Sequence, residues 1–235
     1  MSRPLYGARV EERSLRARLT TVRTEPAVCY GLMALLIAAL VALGLALGHF
    51  TDFYSIDGDI KFLAALSIAH HPLNPAIPYP FHRLDPSGRF TLPLTAWYNG
   101  HDYAGYSLPF EYIAALFLKL FGSAGLIAPS IAATGLLLLV QFHLARLAGI
   151  RGHRGPLLLA TVLATPLLFY ALSFWEHAWG VALFLAGLTV LLHQARQNQP
   201  RIWVGLPAGL LYLGAILMRR DMAIPAIVSL LVLAA

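Results

Sequence analysis

Two carboxylates flank a glycine in residues 54–61 (YSIDGDIK), shortly after the first long apolar run of the chain. Asp57 and Asp59 could accept a proton from a hydroxyl group, or present their oxygen atoms to a divalent cation. A structural interpretation competes with both roles, because Ser55 or Asp57 can cap a helix predicted from about residue 59 to residue 69. On spacing alone, the capping interpretation is the stronger one.

Further charged residues lie in the polar segment at residues 50–107 and in short breaks between apolar runs, at residues 175–177 and 219–221. A phosphate group needs cations around it, and a charge within a break is costly and by default lines a polar cavity. The predicted substrate-binding residues are Lys61, Arg83, Glu176, His177, Arg219 and Arg220. For the polar segment the alternative is contact with lipid headgroups, and for the breaks it is an ordinary interhelical turn, with Arg219 and Arg220 as a cytoplasmic positive pair.

Other chemistries find no support in the sequence. The histidines of the polar segment lack the His-x-x-x-His or Cys-x-x-Cys spacing of a zinc site, so we predict no metal site from them. The chain has no glycine-rich phosphate loop, so a soluble nucleotide is not the expected donor. Its net charge of +6 is explained by basic segments beside a membrane, without nucleic acid as a partner.

The composition predicts the class of protein that must position these residues. Of 235 residues, 58% are hydrophobic and 12% charged, and the mean hydropathy is +0.68. Such a composition excludes a disordered chain, and the single cysteine excludes a disulfide scaffold. We therefore expect an all-α integral membrane protein: a polytopic helical bundle of six or seven spans, with one large external loop that bears interfacial helices.

The order of the segments predicts the orientation. Residues 1–26 form a leader with six arginines, expected to stay in the cytoplasm, and residues 27–49 form the first transmembrane helix. Residues 50–107 form the external loop with its interfacial helix, and residues 108–235 supply further transmembrane helices. The chain is thus expected to be a multi-pass protein of the plasma or inner membrane. Its last apolar run has no interfacial anchor, which suggests the N-terminal portion of a longer protein.

The apolar run at residues 108–121 leaves two topologies open. It is short and carries Glu111 and Lys119, so it could be a tilted span or a helix that lies along the interface. If it lies flat, Arg146, Arg151 and Arg154 fall on the cytoplasmic side, which the positive-inside rule favours. The apolarity of residues 113–118 favours a span instead.

The organisation resembles that of the GT-C glycosyltransferases, which include the protein O-mannosyltransferases and the aminoarabinose transferases of lipid A. The likeness is carried by residues 55–61, by the helix that follows them, by residues 106–110 (YSLPF) and by residues 118–122 (LKLFG). It extends over nearly the whole chain in organisation, although its motifs are short.

This resemblance implies glycosyl transfer from a polyprenyl-phosphate-linked sugar to an acceptor at the outer face, with inversion. It also implies that Asp57 is the catalytic base, with Asp59 second, where the family's usual Asp-Glu form is replaced by Asp-Gly-Asp. Membrane lipid is the surrounding partner, and the sequence does not name the acceptor. A transporter or flippase subunit, or a membrane assembly protein without catalysis, is the alternative; the apolar middles of the predicted helices favour the enzyme.

Overall fold

The computed structural model describes residues 6–47, 56–77, 83–89, 94–105, 107–197, 203 and 205–234, with side chains of the first helix from residue 25 onward. The protein is mostly helical, with 77% of the described residues in helices. Within the part of the chain that the structure describes, three helical segments are long and apolar enough to cross a membrane, namely Glu25–Leu47, Leu108–Leu147 and His177–Ala195. The helical class is confirmed, whereas a bundle of six or seven spans stays a prediction.

The helices follow one another with short connections. They are α1 Tyr6–Leu47, α2 Ile56–His70, α3 Leu108–Phe121, α4 Ala128–Leu147, α5 Arg154–Leu163, α6 Leu167–Leu172, α7 His177–Ala195, α8 Gly205–Met218 and α9 Ala223–Ala234, with 3-10 turns at Gly122–Ile127 and Arg220–Met222. The helix predicted after the acidic motif is thereby confirmed as α2. The apolar run at residues 157–174 is divided between α5 and α6, because Pro166 cannot continue α5 and begins the next helix instead.

The segment between α2 and α3 also contains strands, so the all-α prediction is wrong for this part. Strands β1 (Ala76–Ile77), β2 (Thr95–Tyr98) and β3 (His101–Ala104) form an antiparallel sheet in the order β1-β3-β2. Asn99 and Gly100 connect β2 to β3 with φ angles of 50° and 80°. Two successive left-handed residues are what a tight hairpin turn requires, and Asn-Gly is a strong sequence signal for it. The sequence analysis did not use that signal.

Helices α3 and α4 begin at the same end of the molecule. Ser107, just before α3, donates a hydrogen bond to the carbonyl oxygen of Leu217 at 3.0 Å. Ser130, in the first turn of α4, donates to the carbonyl oxygens of Ser173 at 2.8 Å and Trp175 at 3.3 Å. Leu217 lines a cavity that is described below, and Trp175 precedes Glu176, which lines the same cavity.

Helix α3 therefore lies across this end of the bundle. Its 14 residues span about 21 Å at 1.5 Å per residue. The six residues of the 3-10 turn that follows cover only about 12 Å, too little to bring the chain back from the far end. Gly122, with a φ of 65°, ends α3 at this bend. Whether residues 108–121 span a membrane or lie along its interface stays a prediction.

The largest apolar core joins α1, α4, α5 and α7. Its buried members include Cys29, Met33, Leu138, Phe142 and Leu158. A second core packs α2 against α3 and the end of α8, around residues that include Ala65, Ile68, Phe110, Phe174 and Met218. The second core holds α2, and with it the acidic motif, against the start of α7.

Candidate functional site

A buried lysine forms the centre of the site. Lys61 is fully inaccessible to solvent, and its Nζ lies 2.9 Å from Asp57 Oδ2 and 2.6 Å from Glu176 Oε2. Asp57 is one helical turn before Lys61 on α2, whereas Glu176 immediately precedes α7. Because a buried ammonium group is tolerated only when it is paired, these two contacts fix α2 against the start of α7.

Asp57 retains one unoccupied oxygen atom. Its Oδ2 accepts the hydrogen bond from Lys61, whereas its Oδ1 is buried and has no hydrogen-bond partner among the described residues. The side chain is 19% exposed and lines a cavity of about 660 Å³. A carboxylate beside a polar cavity is the type of group that can act as a general base.

The cavity gathers several of the predicted site residues. It is lined by Asp57, Glu176, His177, Arg219 and Arg220, together with Asp221, Ser107 and neighbouring residues. An acid from the first helix after residue 50 thus faces two arginines from near the end of the chain. Long-range pairing of this kind is not encoded in local spacing, so it had to come from the structure.

Three predicted site residues lie outside this lining. Lys61 is buried behind it and contacts the two acids instead, so its predicted contact with substrate is not what its position provides. Asp59 is exposed on the other side of the first turn of α2, and Arg83 is exposed in the segment before β2. Neither is among the described residues that line the cavity. Ser55, the alternative cap, lies outside the described residues.

Glu111 is a buried acid that the sequence analysis treated only as a feature of a short helix. It is 1% exposed, and none of the described residues forms a hydrogen bond with its Oε1. It interacts electrostatically with Lys61, Glu176 and Asp57, so it belongs to the same cluster of charges. An acidic residue inside an apolar run is by default a functional candidate, and that signal was available in the sequence.

A second cavity, of about 630 Å³, adjoins the first. Its walls come from α4, α5, α6 and α7 and are mostly apolar, with Leu137, Leu144, Leu157, Val181 and Leu185 among the lining side chains. His177, Arg219 and Asp221 line both cavities. The polar cavity and the apolar groove therefore meet at these three residues.

Arg219 and Asp221 form a two-pronged ion pair at this junction. Arg219 Nε donates to Asp221 Oδ1 at 2.8 Å, and Nη2 donates to Oδ2 at 2.6 Å. These hydrogen bonds hold the pKa of the Asp221 carboxyl below its ordinary value and raise the pKa of Arg219. A lowered carboxyl pKa means that the pair persists at neutral pH and is lost only as the pH falls through that lowered value. Asp221 belongs to the charged break at residues 219–221, but the sequence did not predict it as a substrate-binding residue.

Aromatic rings form one side of the same junction. The His177 ring stacks on Tyr170 with ring centres 4.4 Å apart and on Trp175 at 4.8 Å. Lys61 Nζ lies 5.7 Å from the centre of the Trp175 ring. His177 Nδ1 is buried and has no hydrogen-bond partner in the described part of the chain, so stacking holds the ring.

A metal centre is not prearranged in the part of the chain that the structure describes. There, no group of three or more histidine, cysteine, aspartate or glutamate side chains is placed to hold a metal ion. Asp57 and Glu176 both contact the ammonium group of Lys61. A divalent cation would have to compete with that lysine.

Comparisons with known proteins found no match for this chain. The chain matches no protein-family model, no curated protein and no solved structure at a significant level. The function is therefore argued from the site itself.

Proposed function

We propose that this protein is a membrane glycosyltransferase of the GT-C type, which moves a sugar from a polyprenyl-phosphate donor to an acceptor hydroxyl group. The observation that carries the proposal is the junction of the two cavities at His177, Arg219 and Asp221. A donor of this class has a long apolar chain, an anionic phosphate and a polar sugar in that order. The apolar groove, the arginines and the acid-lined cavity follow one another in the same order.

The apolar groove is elongated, as a site for a hydrocarbon chain must be. Its lining runs from Leu137 on α4 to Ala148, the residue after that helix, which is about 16 Å at 1.5 Å per residue. Apolar walls favour a hydrocarbon chain through the hydrophobic effect, whereas a soluble nucleotide sugar would gain nothing there. The groove therefore supports a lipid-linked donor over a soluble one.

Arg219 and Arg220 would bind the phosphate where the groove meets the polar cavity. An arginine guanidinium forms strong charge-assisted hydrogen bonds with phosphate oxygens. As the bond between the anomeric carbon and the phosphate oxygen breaks, the phosphate takes the electron pair, and the arginines stabilise the added negative charge.

Asp57 would act as the general base. Its partly exposed carboxylate, which lines the cavity, accepts the proton of the acceptor hydroxyl group while the hydroxyl oxygen attacks the anomeric carbon, and a single displacement inverts that centre. Lys61 supports this role from behind, because its contact with Oδ2 sets the direction of the carboxylate. The role of Lys61 is thus to position Asp57 rather than to bind the phosphate.

The arrangement of charges along α4 supports an extracytoplasmic site. Glu25, at the start of the apolar part of α1, pairs with Arg154 at 3.4 Å, beside the end of α4 that carries Arg146. The site lies at the other end of α4, near Ser130. With the basic leader and these arginines in the cytoplasm, the cavity of Asp57 opens to the outer face.

Product analysis separates this proposal from a transporter or flippase. The purified full-length protein is reconstituted into vesicles with a polyprenyl-phosphate-linked sugar and membrane extract as the acceptor source. A glycosyltransferase releases free polyprenyl phosphate and labels the acceptor, whereas a transporter only moves the intact lipid between leaflets. Movement of the lipid without cleavage of the sugar–phosphate bond would contradict the proposal.

A further inference from the structure

Arg219 lies in a slot that α7 leaves open. Position 180 of α7 is a glycine, and a Cβ atom there would be 3.2 Å from Arg219 Cγ, 3.3 Å from its Cβ and 3.4 Å from its Cδ. Three successive carbon atoms of the arginine therefore run along the bare face of the helix. Any side chain at Gly180 would have to push this arginine stem away.

Asp221 fixes the other end of the same side chain. It accepts from Nε and Nη2, which form one edge of the guanidinium group. Of the five N–H groups of an arginine, this contact uses two, and no other described side chain accepts a hydrogen bond from Arg219. The remaining N–H groups are thus available to an anionic ligand at the junction of the two cavities.

The neighbouring arginine has no comparable support. Arg220 lines only the polar cavity, is exposed, and makes no ion pair with a described residue. An arginine whose stem and head are both fixed in advance loses less rotamer entropy when it binds an anion than a mobile one does. The two arginines therefore differ in what they can contribute to recognition.

We infer that Gly180 and Asp221 are positioning residues, which hold the Arg219 guanidinium at the junction so that it selects amphiphiles with an anionic head group. The inference rests on the proposed function, since it takes the phosphate of the donor as the ligand of Arg219. Gly180 leaves space for the Arg219 side chain, and Asp221 sets the direction of its guanidinium group. Neither residue contacts the phosphate itself in this arrangement.

Equilibrium binding of two probes tests this assignment. The full-length protein in detergent is titrated with a long-chain polyprenyl phosphate and with the matching polyprenyl alcohol, and the phosphate preference is the Kd of the alcohol divided by the Kd of the phosphate. Arg219→Ala should lower this preference about 10- to 100-fold, the range for hydrogen bonds to charged groups. Gly180→Val and Asp221→Ala should lower it similarly while leaving the Kd of the alcohol unchanged.

Double variants and milder changes make the test specific. Asp221→Ala should have no further effect on the preference in an Arg219→Ala background, because both changes remove one interaction. Asp221→Glu should restore most of the preference, and Gly180→Ala should give a smaller loss if Gly180→Val does not fold. Gly209→Val on α8 is the matched control, since nothing lies within 4 Å of a Cβ at that position.

The outcomes separate this inference from the proposed function. If Arg219→Ala loses the phosphate preference but Asp221→Ala and both Gly180 variants keep it, the positioning roles are wrong and the proposed donor stands. If the single variants weaken the phosphate and the alcohol equally, the two residues serve only the fold and the inference is overturned. If the wild type binds both probes alike, the assignment of a phosphate to Arg219 fails, and both proposals fail with it.

Discussion

At the scale of single residues, the site depends on one buried cation shared by two acids. Lys61 lies between Asp57 and Glu176, and no part of it reaches solvent. Removing one member of a buried ion pair costs more than the pair contributes, because the remaining charge is left without a partner. We therefore expect the lysine to stabilise the fold as well as to orient Asp57.

Replacement of this lysine should be strongly destabilising. We expect Lys61→Met to lower the free energy of unfolding by about 3–5 kcal/mol, because two acids lose their buried partner. Lys119→Met on α3 is the matched control, since Lys119 is exposed, and exposed substitutions usually change stability by about 0.5 kcal/mol or less. Thermal unfolding in detergent measures both, and equal melting temperatures for the two variants would refute the structural role of Lys61.

The sequence indicates part of this site and misses its pairings. Asp57 is recognisable from its motif, and Glu176 and Arg219 from their isolation between apolar runs. The contact between Lys61 and Glu176 joins residues 115 positions apart, so no local pattern encodes it. Asp59 is predicted through the resemblance and Arg83 through its charge, yet neither is among the described residues that line the cavity.

At the scale of helices, close contact between α7 and α8 brings Arg219 to the site. A Cβ atom on Gly187 would lie 2.6 Å from two ring carbons of Tyr212, so the ring packs directly on the backbone of α7. The Tyr212 hydroxyl group also forms a 2.8 Å hydrogen bond with Ser229 of α9. Small residues at such crossings let membrane helices approach closely.

A side chain at Gly187 should therefore separate α7 from α8. We expect Gly187→Val to cost about 1–3 kcal/mol of stability, the usual range for overpacking, and to reduce binding of the polyprenyl phosphate because Arg219 moves with α8. Gly209→Val, on an open face of α8, should leave both quantities near wild type. Unchanged melting temperature and unchanged binding in Gly187→Val would contradict the close packing of these helices.

Apolar periodicity predicts most of the helices but not how they are divided. Helix α2 and the apolar segments of α1, α4 and α7 follow from composition and length. The break between α5 and α6 occurs at Pro166, because a proline cannot continue a helix. The apolar pattern does not indicate this break, since residues on both sides of the proline belong to one apolar run. Apolar periodicity does not predict the small sheet, because its strands are only two to four residues long.

At the scale of the whole molecule, charges are separated between the two ends of α4. Ser130 at its start adjoins the cavity of Asp57, while Arg146 at its end lies with Arg154 and Glu25. The 20 residues between these ends cover about 30 Å, the thickness of a bilayer core. A membrane-spanning orientation would thus place the site and the basic cluster on opposite faces.

Thiol labelling in intact cells tests this orientation. A cysteine at Ser87, which is exposed in the segment before β2, should react with a membrane-impermeant reagent. A cysteine at His153, exposed beside Arg154, should react only after lysis, because the positive-inside rule places it in the cytoplasm. The parent protein provides the control, since its Cys29 is 1% exposed; the reverse pattern would invert the topology and place the site inside the cell.

The most direct measurement of the central claim compares sugar transfer by Asp57→Asn and Asp59→Asn with transfer by the wild type. Asparagine preserves the shape of Asp57 but cannot accept the proton, so transfer from the polyprenyl-phosphate sugar should fall by roughly two to four orders of magnitude. Asp59→Asn should stay close to wild type, because Asp59 is exposed outside the lining of the cavity. Wild-type transfer in Asp57→Asn, at equal expression and melting temperature, would remove Asp57 from the mechanism.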